Sequence, residues 1–177
     1  MADRLDTERL TLRPIAMDDV DLLVALDSDP EVMRFISGGE PTSRAQAERI
    51  VRMSLGHRWL GFDNAADEFV GWFGIRPSTA KSRELGYRLR REAWGHGFAT
   101  EGSLAVIAVA FTLPGVDRVR AETMAVNLAS RAVMERCGLG YVRTFHLEWD
   151  DPIEGTEHGE VEYEITKTEW EKQHAKG

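Results

Sequence analysis

Apolar positions recur along this chain with two periods, every second residue in some segments and every third or fourth residue in others. Residues 9–13 alternate polar and apolar side chains up to a proline, which predicts a half-buried first strand. Residues 18–26 and 44–53 instead carry apolar side chains at helical spacing, and Thr42 or Ser43 can cap the second of these segments. The first third of the chain is therefore predicted to contain one strand and two helices.

Turn-forming residues divide the pattern between these helices and again after them. Asp29-Pro30 interrupts the helical spacing, so we expect a short turn that ends near Gly38-Gly39. Further on, apolar and aromatic runs separated by Asp63-Asn64 and Pro77-Ser78 are typical of an antiparallel meander. Three strands fit this segment, over residues 57–62, 69–76 and 83–89.

The second half of the chain combines an apolar helix with further strands. Residues 104–111 are apolar on every side, which predicts a helix buried on more than one face. The last strand alternates glutamates with Val161, Tyr163 and Ile165, so we expect one acidic face and one core face. The remaining elements are strands over 118–126, 141–149 and 159–166 and a helix over 129–136 closed by Gly138. The fold class is therefore α/β (α+β), with a mixed, mostly antiparallel sheet of six to seven strands.

Composition restricts the class of protein. A chain of 177 residues with 42% hydrophobic residues is expected to form a single domain over 1–177 with a packed core, which disfavours intrinsic disorder. The longest uncharged stretch, Gly102 to Val116, is shorter than the ~20 residues of a membrane helix and contains a proline. The charged N-terminal residues and the lone Cys137 favour a cytoplasmic protein over a secreted one. No membrane partner is expected.

The net charge of -8 comes from one segment. Residues 144–166 hold eight carboxylates and neither lysine nor arginine, whereas acids and bases balance in the rest of the chain. This distribution disfavours a nucleic-acid partner, because phosphate binding needs clustered positive charge. The simplest interpretation of the acidic segment is a solvated surface, and a cationic partner beside it is the alternative.

One segment has the pattern of an anion-binding turn. Trp94-Gly95-His96-Gly97-Phe98-Ala99-Thr100-Glu101 leads from a strand into the apolar helix, and its two glycines let backbone N–H groups converge at a helix N-terminus. His96 can add a side-chain donor. The same glycine spacing also occurs in ordinary tight turns. It matches neither the Rossmann nor the Walker fingerprint, because the third glycine of the first and the Gly-Lys-Ser/Thr of the second are missing.

A second motif follows at the next junction between a strand and a helix. Asn127 is placed to cap the helix, and Ser130 lies three residues later in its first turn. Both side chains are therefore expected at the same end of the sheet. An ordinary helix cap explains the pair equally well.

Taken together and in this order, these segments resemble the GNAT superfamily of acyl-CoA-dependent N-acyltransferases, and more closely its RimJ/RimL-like branch. The resemblance covers nearly the whole chain and is weakest after Trp149. It is carried by Thr7-Glu8-Arg9-Leu10-Thr11-Leu12-Arg13-Pro14 for the first strand, Asp29-Pro30-Glu31-Val32-Met33-Arg34 for a turn between the first two helices, Glu84-Leu85-Gly86-Tyr87 for the central strand, Gly95 to Glu101 for the pyrophosphate loop, and Asn127, Ser130 and Gly138 for the motif that follows.

The resemblance implies a GNAT-like sheet with helices on both faces and a splay between its fourth and fifth strands, here residues 83–89 and 118–126. It implies acetyl-CoA as the co-substrate. Backbone groups left unpaired in the splay would hydrogen-bond the pantetheine amides, and Asn127 would bind the pantetheine arm. The implied cofactor-binding residues are Leu89, Trp94, Gly95, His96, Gly97, Phe98, Ala99, Thr100, Asn127 and Ser130.

The implied reaction needs a base but no enzyme nucleophile, because an amine attacks a thioester directly once it has lost its proton. An alkylamine has a pKa near ~10, so a side chain or water must take that proton at neutral pH. The resemblance places the base at Glu84, which without it would be an ordinary surface residue. Glu122 is the second candidate. A backbone N–H of Gly86 or Tyr87 would stabilise the oxyanion.

The proton donor for the leaving thiolate differs from the common family pattern. Many members have a tyrosine seven residues after the asparagine, but Met134 stands there and cannot donate a proton. The closer branch implies Ser130, with water as the alternative. Cys137 is predicted to be a core residue, and the five histidines lack metal-ligand spacing, so no metal is expected. The expected acceptor-side residues are Phe35, Glu84, Tyr87, Glu122 and Trp149.

The sequence thus predicts an enzyme, an acetyl-CoA-dependent N-acetyltransferase that acts through a ternary complex. Its acceptor is expected to be a primary amine, either a protein N-terminus or a small cationic amine, and a homodimer is among the assemblies that the pattern allows. Two rival hypotheses remain. One is a catalytically silent CoA-binding or sensor module, and the other is a nucleotide-binding domain unrelated to acyl transfer.

Overall fold

The computed structural model describes residues 4–175, which form eight strands and six α-helices. The strands are β1 (Leu5–Asp6), β2 (Leu10–Pro14), β3 (Arg58–Asp63), β4 (Glu68–Pro77), β5 (Ser82–Leu89), β6 (Arg118–Met124), β7 (Gly140–Phe145) and β8 (Glu160–Thr166). The helices are α1 (Val20–Leu26), α2 (Pro30–Ser37), α3 (Arg44–Ser54), α4 (Phe98–Thr112), α5 (Leu128–Arg136) and α6 (Lys167–His174). Within residues 4–175 no helix is both long and apolar enough to cross a membrane.

All eight strands join one sheet in the order β1-β2-β3-β4-β5-β6-β8-β7. Only β5 and β6 run parallel among the described strands, and the other neighbours are antiparallel. The prediction of a mixed, mostly antiparallel sheet is confirmed. The prediction of six to seven strands is wrong by one edge strand, β1, in which Leu5 pairs with Leu12. Two residues are too few to show an alternating pattern in the sequence.

The predicted splay is present between β5 and β6. Their pairing runs only from Ser82 opposite Arg118 to Glu84 opposite Arg120. Beyond Glu84 both strands continue, but each pairs only with its other neighbour, β4 or β8. The backbone edges that face each other there are therefore open to a ligand.

Helices cover both faces of the sheet, as expected. On one face α4 and α5 pack on a core that includes Phe73 and Ile107. On the other face α1 and α3 bury Leu23 and Val51. The contact of α4 with the sheet is close, because a Cβ atom on Gly102 would lie 2.4 Å from the ring of Phe73.

The expected turn between Asp29 and Gly39 is wrong, because most of this segment is the helix α2. The Asp29 side chain accepts a hydrogen bond from the Glu31 N–H at 2.9 Å, and Pro30 occupies the first helical position. Proline is favoured there, since the first N–H of a helix has no partner in any case. Gly38, at φ +70°, ends the helix.

The strand predicted over 141–149 is shorter than expected. It ends at Phe145, and residues 146–159 form a loop in which Gly155 and Gly159 adopt positive φ. A Cβ atom on Gly38 would lie 2.9 Å from the Ile153 side chain, so this loop packs against the end of α2. The acidic loop and α2 therefore meet at one end of the sheet.

Candidate active site

A groove of about 1070 Å³ opens beside the C-terminal end of β5 and the N-terminus of α4. This volume is slightly above the roughly 300–1,000 Å³ of common ligand pockets, so a large ligand fits. Segments that are distant in sequence form its walls: the end of β5, the turn into α4, one face of α5, and α2. The predicted residues that line it are Phe35, Tyr87, Leu89, Trp94, Gly95, Gly97, Phe98, Ala99, Thr100, Asn127 and Ser130.

The turn into α4 exposes unpaired backbone donors. Gly95 and Gly97 have φ of +77° and +81°, a conformation that glycine adopts without strain, and Gly97 immediately precedes the helix. The N–H groups of residues 98–100 lie in the first helical turn and have no carbonyl partner within the helix. With the helix dipole behind them, these groups can bind the oxygens of a pyrophosphate.

A clamp between Arg9 and Glu101 holds this turn in place. The Glu101 carboxylate accepts hydrogen bonds from the Thr7 hydroxyl at 2.6 Å and from both the backbone N–H and the Nε of Arg9 at 2.7 Å. Arg9 Nη1 also donates to the carbonyl of His96 at 2.7 Å. The clamp leaves no signal in the sequence, because no local pattern connects residues that are 92 positions apart.

Of the residues flanking Gly95, Trp94 lies in the groove as expected and His96 does not. His96 does not line the groove; its ring lies 5.9 Å from that of Phe98, and its carbonyl accepts a hydrogen bond from Arg9. Trp94 lines the groove and donates from its indole Nε1 to the carbonyl of Leu89 at 2.9 Å. The tryptophan thereby connects the glycine turn to the end of β5.

One face of α5 forms the opposite wall. Asn127 caps the helix, accepting from the Ser130 N–H at 3.2 Å, and its amide donates to Thr123 Oγ1 at 3.2 Å. The groove-lining side chains of α5 are mostly small and recur at helical spacing, which leaves room for a ligand. They are Ala129, Ser130, Ala132, Val133 and Arg136. Arg136, which sequence analysis missed, adds a positive charge.

Tyr87 and Ser130 connect β5 to α5. The Tyr87 hydroxyl donates to the Ser130 carbonyl at 3.0 Å and lies 2.9 Å from Ser130 Oγ. Burial raises the pKa of Tyr87, so its hydroxyl stays protonated and can hold Ser130. Met134, at the position of the common family tyrosine, is 2% exposed and lies in the core rather than in the groove.

Glu84 lies at the point where β5 and β6 begin to separate, as the resemblance implies, but it does not line the groove. Its carboxylate forms an ion pair with Arg76 Nη2 at 2.7 Å on the adjacent strand β4. The structure therefore brings the predicted base to the beginning of the splay, on the sheet face opposite Tyr87.

Of the other predicted acceptor-side residues, Phe35 lines the groove and Glu122 and Trp149 do not. Phe35 lines the groove from α2, whereas Trp149 lies half-buried in the 146–159 loop and is outside the groove lining. Glu122 is also outside the lining and forms an ion pair with Arg120. The expected aromatic wall therefore consists of Phe35 without Trp149.

Two glutamates of the acidic segment are buried, which corrects the expectation that this segment is wholly solvated. Glu162 is 6% exposed and accepts from Arg143 Nε at 2.7 Å, with Arg120 Nη2 at 3.5 Å. Glu160 is 7% exposed, and its Oε1 has no hydrogen-bond partner among the described residues. Burial, together with the charge of Glu122, raises the pKa of Glu160. Both carboxylates lie on the sheet face that carries Glu122 and Glu84.

Comparison with known proteins identifies the family. Residues 9–140 match the family model described as acetyltransferase (GNAT) domain. The chain belongs to the GNAT acetyltransferase family. A curated relative from Aspergillus fumigatus, the FsC-acetyl coenzyme A-N(2)-transacetylase, is 37% identical over 94% of this chain and 77% of the relative. This GNAT protein is accordingly an acetyl-CoA-dependent N-acetyltransferase.

Solved structures agree on the fold. The spermidine N-acetyltransferase from Vibrio cholerae, in complex with CoA and spermine, gives a TM-score of 0.78 at 19% identity, over 93% of this chain and 99% of that one. RimL, a ribosomal L7/L12 alpha-N-protein acetyltransferase in complex with coenzyme A, gives 0.76 at 18% identity, over 90% and 95%. At these identities the likeness shows the mixed α/β GNAT fold alone.

Proposed function

We propose that this GNAT protein transfers the acetyl group directly to the primary amine of a cationic acceptor in a ternary complex. The observation that carries the proposal is one continuous groove from the glycine turn of α4 to the end of β5, where the sheet splays. A coenzyme with its pyrophosphate at α4 would extend its thioester between β5 and β6. The amine nitrogen then forms the C–N bond, the C–S bond breaks, and the thiolate leaves.

The chain's single cysteine supports direct transfer over an acyl-enzyme. Cys137 is 1% exposed and lies outside the groove lining. Burial raises the pKa of its thiol to about 12, so almost no thiolate is present at neutral pH. Cys137 is therefore a core residue and a poor acyl carrier.

We propose Glu84 as the general base. Its position at the last paired rung before the splay supports this role, and Arg76 holds the carboxylate there. Glu84 would accept the proton of the acceptor ammonium directly or through water. A backbone N–H of Gly86 or Tyr87 would bind the oxyanion. Glu122 remains the second candidate for the base.

Ser130 is the proposed proton donor to the leaving thiolate. It lines the groove, and the protonated Tyr87 hydroxyl fixes its position. A thiol has a pKa of about 8.5, so the thiolate can leave without a proton. Protonating the thiolate therefore accelerates the reaction less than deprotonating the amine does. Replacing Ser130 should therefore lower the rate less than replacing Glu84.

Charge supports a cationic acceptor. Asp150, Asp151 and Glu154 are exposed in the loop that packs on α2, and Glu160 adds a buried carboxyl close to Glu122. The names of the relatives include spermidine, a protein N-terminus and an N(2) position. We propose that this chain belongs to the RimJ/RimL-like branch and takes either a protein N-terminus or a small cationic amine.

The deciding experiment is a thiol-release assay with acetyl-CoA across peptide N-termini, polyamines and aminoglycosides. For an accepted amine, Glu84→Gln should lower kcat by about 10²–10⁴-fold, because no carboxylate is then left there to accept the proton. Glu171→Gln, at an exposed position on α6, is the control and should match the wild type. Unchanged activity in Glu84→Gln would refute this base. CoA binding with no turnover of any amine would instead favour the silent CoA-binding module.

The acidic loop provides a second test of the acceptor. Replacing Asp150, Asp151 and Glu154 by their amides should raise KM for the acceptor about two- to tenfold and leave KM for acetyl-CoA unchanged. Raising the ionic strength should shrink the difference, because salt screens exposed charges. If neither constant changes, these three acids are only solvated surface.

Three further properties follow as proposals. We propose that residues 1–177 form a single domain, which is supported by one sheet that contains all the described strands. We also propose that the enzyme acts in the cytoplasm and requires no metal. A homodimer stays a prediction, and the elution volume of the purified protein in size-exclusion chromatography would test it.

A further inference from the structure

A second cavity, of about 410 Å³, lies between α1, α3, β4 and β5 on the sheet face opposite α4. Positive charge dominates its lining, although the chain as a whole carries a net charge of -8. Arg58, Arg76, Arg88 and His57 line it, and Asp27 is the one carboxylate among its described lining residues. Two of its arginines are also connected to the proposed acetyl transfer, since Arg76 pairs with Glu84 and Arg88 lines the groove as well, but Arg58 belongs to this cavity alone.

The charges in this cavity do not balance. Arg88 Nη1 pairs with Asp27 at 2.7 Å, and the second carboxylate oxygen of Asp27 accepts from the Thr42 hydroxyl at 2.7 Å. Arg76 is already paired with Glu84. The guanidinium of Arg58 forms neither a hydrogen bond nor an ion pair with any residue in the described range 4–175. Its guanidinium carbon lies 3.8 Å from the centroid of the Trp72 ring. Burial and the charge of Arg88 lower the pKa of Arg58 to about 10, still well above neutrality.

Two further donors, on residues that line this cavity, also lack acceptors among the described residues. Trp72 is 8% exposed, and its indole Nε1 is buried without a hydrogen-bond partner among the described residues. The same holds for Nε of Arg88. Buried donors in folded proteins are normally satisfied. These two N–H groups are closed off from the cavity as well as unpaired, so the guanidinium of Arg58, on Trp72, is the group that a bound anion would complete.

We propose that this cavity is a second ligand site, which binds a small organic anion with a carboxylate on a compact apolar group. The planar guanidinium of Arg58 can bind a carboxylate through two parallel hydrogen bonds. Leu23, Ile50 and Met53 line the same cavity and would receive the hydrocarbon part. Inorganic phosphate offers similar charge but no apolar part, so it is the weaker ligand. The volume is at the small end of the range for ligand sites.

Calorimetric titration with phenylacetate as the probe tests the site. The full chain is first saturated with CoA, so that the pyrophosphate groove does not bind the probe. Phenylacetate should bind at least about tenfold more tightly than its neutral analogue phenylacetamide and than inorganic phosphate, since only it combines charge with an apolar group. Equal binding of phenylacetate and phenylacetamide would overturn the proposal, and tighter binding of phosphate would identify a phosphate site instead of a carboxylate site.

Variants connect binding to Arg58. Arg58→Gln should weaken phenylacetate binding about tenfold or more, and Arg58→Lys should give an intermediate loss, because it keeps the charge but not the planar fork. Arg52→Gln is the control, since Arg52 is an exposed arginine of α3 outside the cavity lining. Thermal denaturation of each variant without the probe shows whether it is folded. Unchanged affinity in folded Arg58→Gln would refute the site, and Arg58→Lys decides the question if Arg58→Gln does not fold.

Discussion

The carboxylate of Glu101 joins the first turn of α4 to the segment before β2. Burial alone would raise its pKa, but hydrogen bonds from Thr7 and Arg9 and the charge of Arg9 outweigh burial and hold the pKa below the usual value of 4.5. A group with a depressed folded-state pKa contributes stability above its unfolded pKa and loses it as the pH falls through the folded pKa. The clamp is therefore strongest near neutrality and weakens in acid.

The lowered pKa of Glu101 gives a prediction for Glu101→Gln. At about pH 7 the substitution should lower the free energy of unfolding by about 1–3 kcal/mol, because the donors of Arg9 lose a charged acceptor. The difference from wild type should shrink below about pH 4, where the wild-type carboxylate is itself protonated. Urea denaturation at both pH values measures this, with Glu92→Gln as an exposed control. An equal loss at both pH values would contradict the account.

At the scale of elements, the contact between α4 and β4 depends on Gly102. A Cβ atom there would lie 2.4 Å from two ring carbons of Phe73, which is fully buried. Alanine favours the helix by about 1 kcal/mol over glycine, whereas overpacking a core costs about 1–3 kcal/mol. We expect overpacking to prevail in Gly102→Ala, because the Phe73 ring has no free space to enter.

A double-mutant cycle with Phe73→Leu tests this contact. Gly102→Ala alone should destabilise the protein by about 1–2 kcal/mol, and Phe73→Leu alone should destabilise it through a cavity. The double variant should be more stable than the sum of the two losses, because leucine leaves room for the added methyl group. Guanidinium denaturation of all four proteins gives the coupling energy, and strict additivity would exclude the proposed clash.

The elements that the sequence predicts well are those with a long, regular pattern. The first and last predicted strands follow from alternation and the three meander strands from apolar runs between turn residues, and the apolar run of residues 104–111 marks α4, although the helix begins earlier, at Phe98. The segment 30–37 is a helix where the sequence predicts a turn, because a proline that breaks one helix can equally begin the next. Its two buried apolar residues, Val32 and Met33, are too few for a convincing helical period.

The sequence predicts the parts of the site whose residues lie close together in the chain. It does not predict the parts that depend on contacts between distant segments. The glycine turn and the Asn127–Ser130 pair are short motifs, and both line the groove. The burial of Glu160 is different, since it depends on how the 146–159 loop folds back. A Cβ atom on Gly155 would lie 3.3 Å from Met124, the cross-strand partner of Glu160. The alternation of residues within β8 does not indicate that the 146–159 loop buries Glu160.

At the scale of the whole molecule, the open edge between β5 and β6 predicts ligand-dependent stability. CoA at about 100 times its Kd should stabilise the fold by about 2.7 kcal/mol, which raises Tm by about 5–10 °C for a chain of this size. ATP and NAD share the adenine and phosphates but lack the pantetheine arm that would enter the splay, so their shifts should be much smaller. Differential scanning fluorimetry compares the three. Equal shifts with ATP or NAD would favour a general nucleotide-binding domain.

The splay also divides the sheet in the order of the sequence. Every strand up to β5 lies on one side of it and every strand from β6 onward on the other, and only three paired positions join the sides. The exposed Pro114-Gly115 turn lies between α4 and β6. Cutting the chain there would give two fragments that each keep an intact half-sheet. Their reassociation should be promoted by coenzyme that bridges both edges, which would make the pair a complementation sensor for CoA.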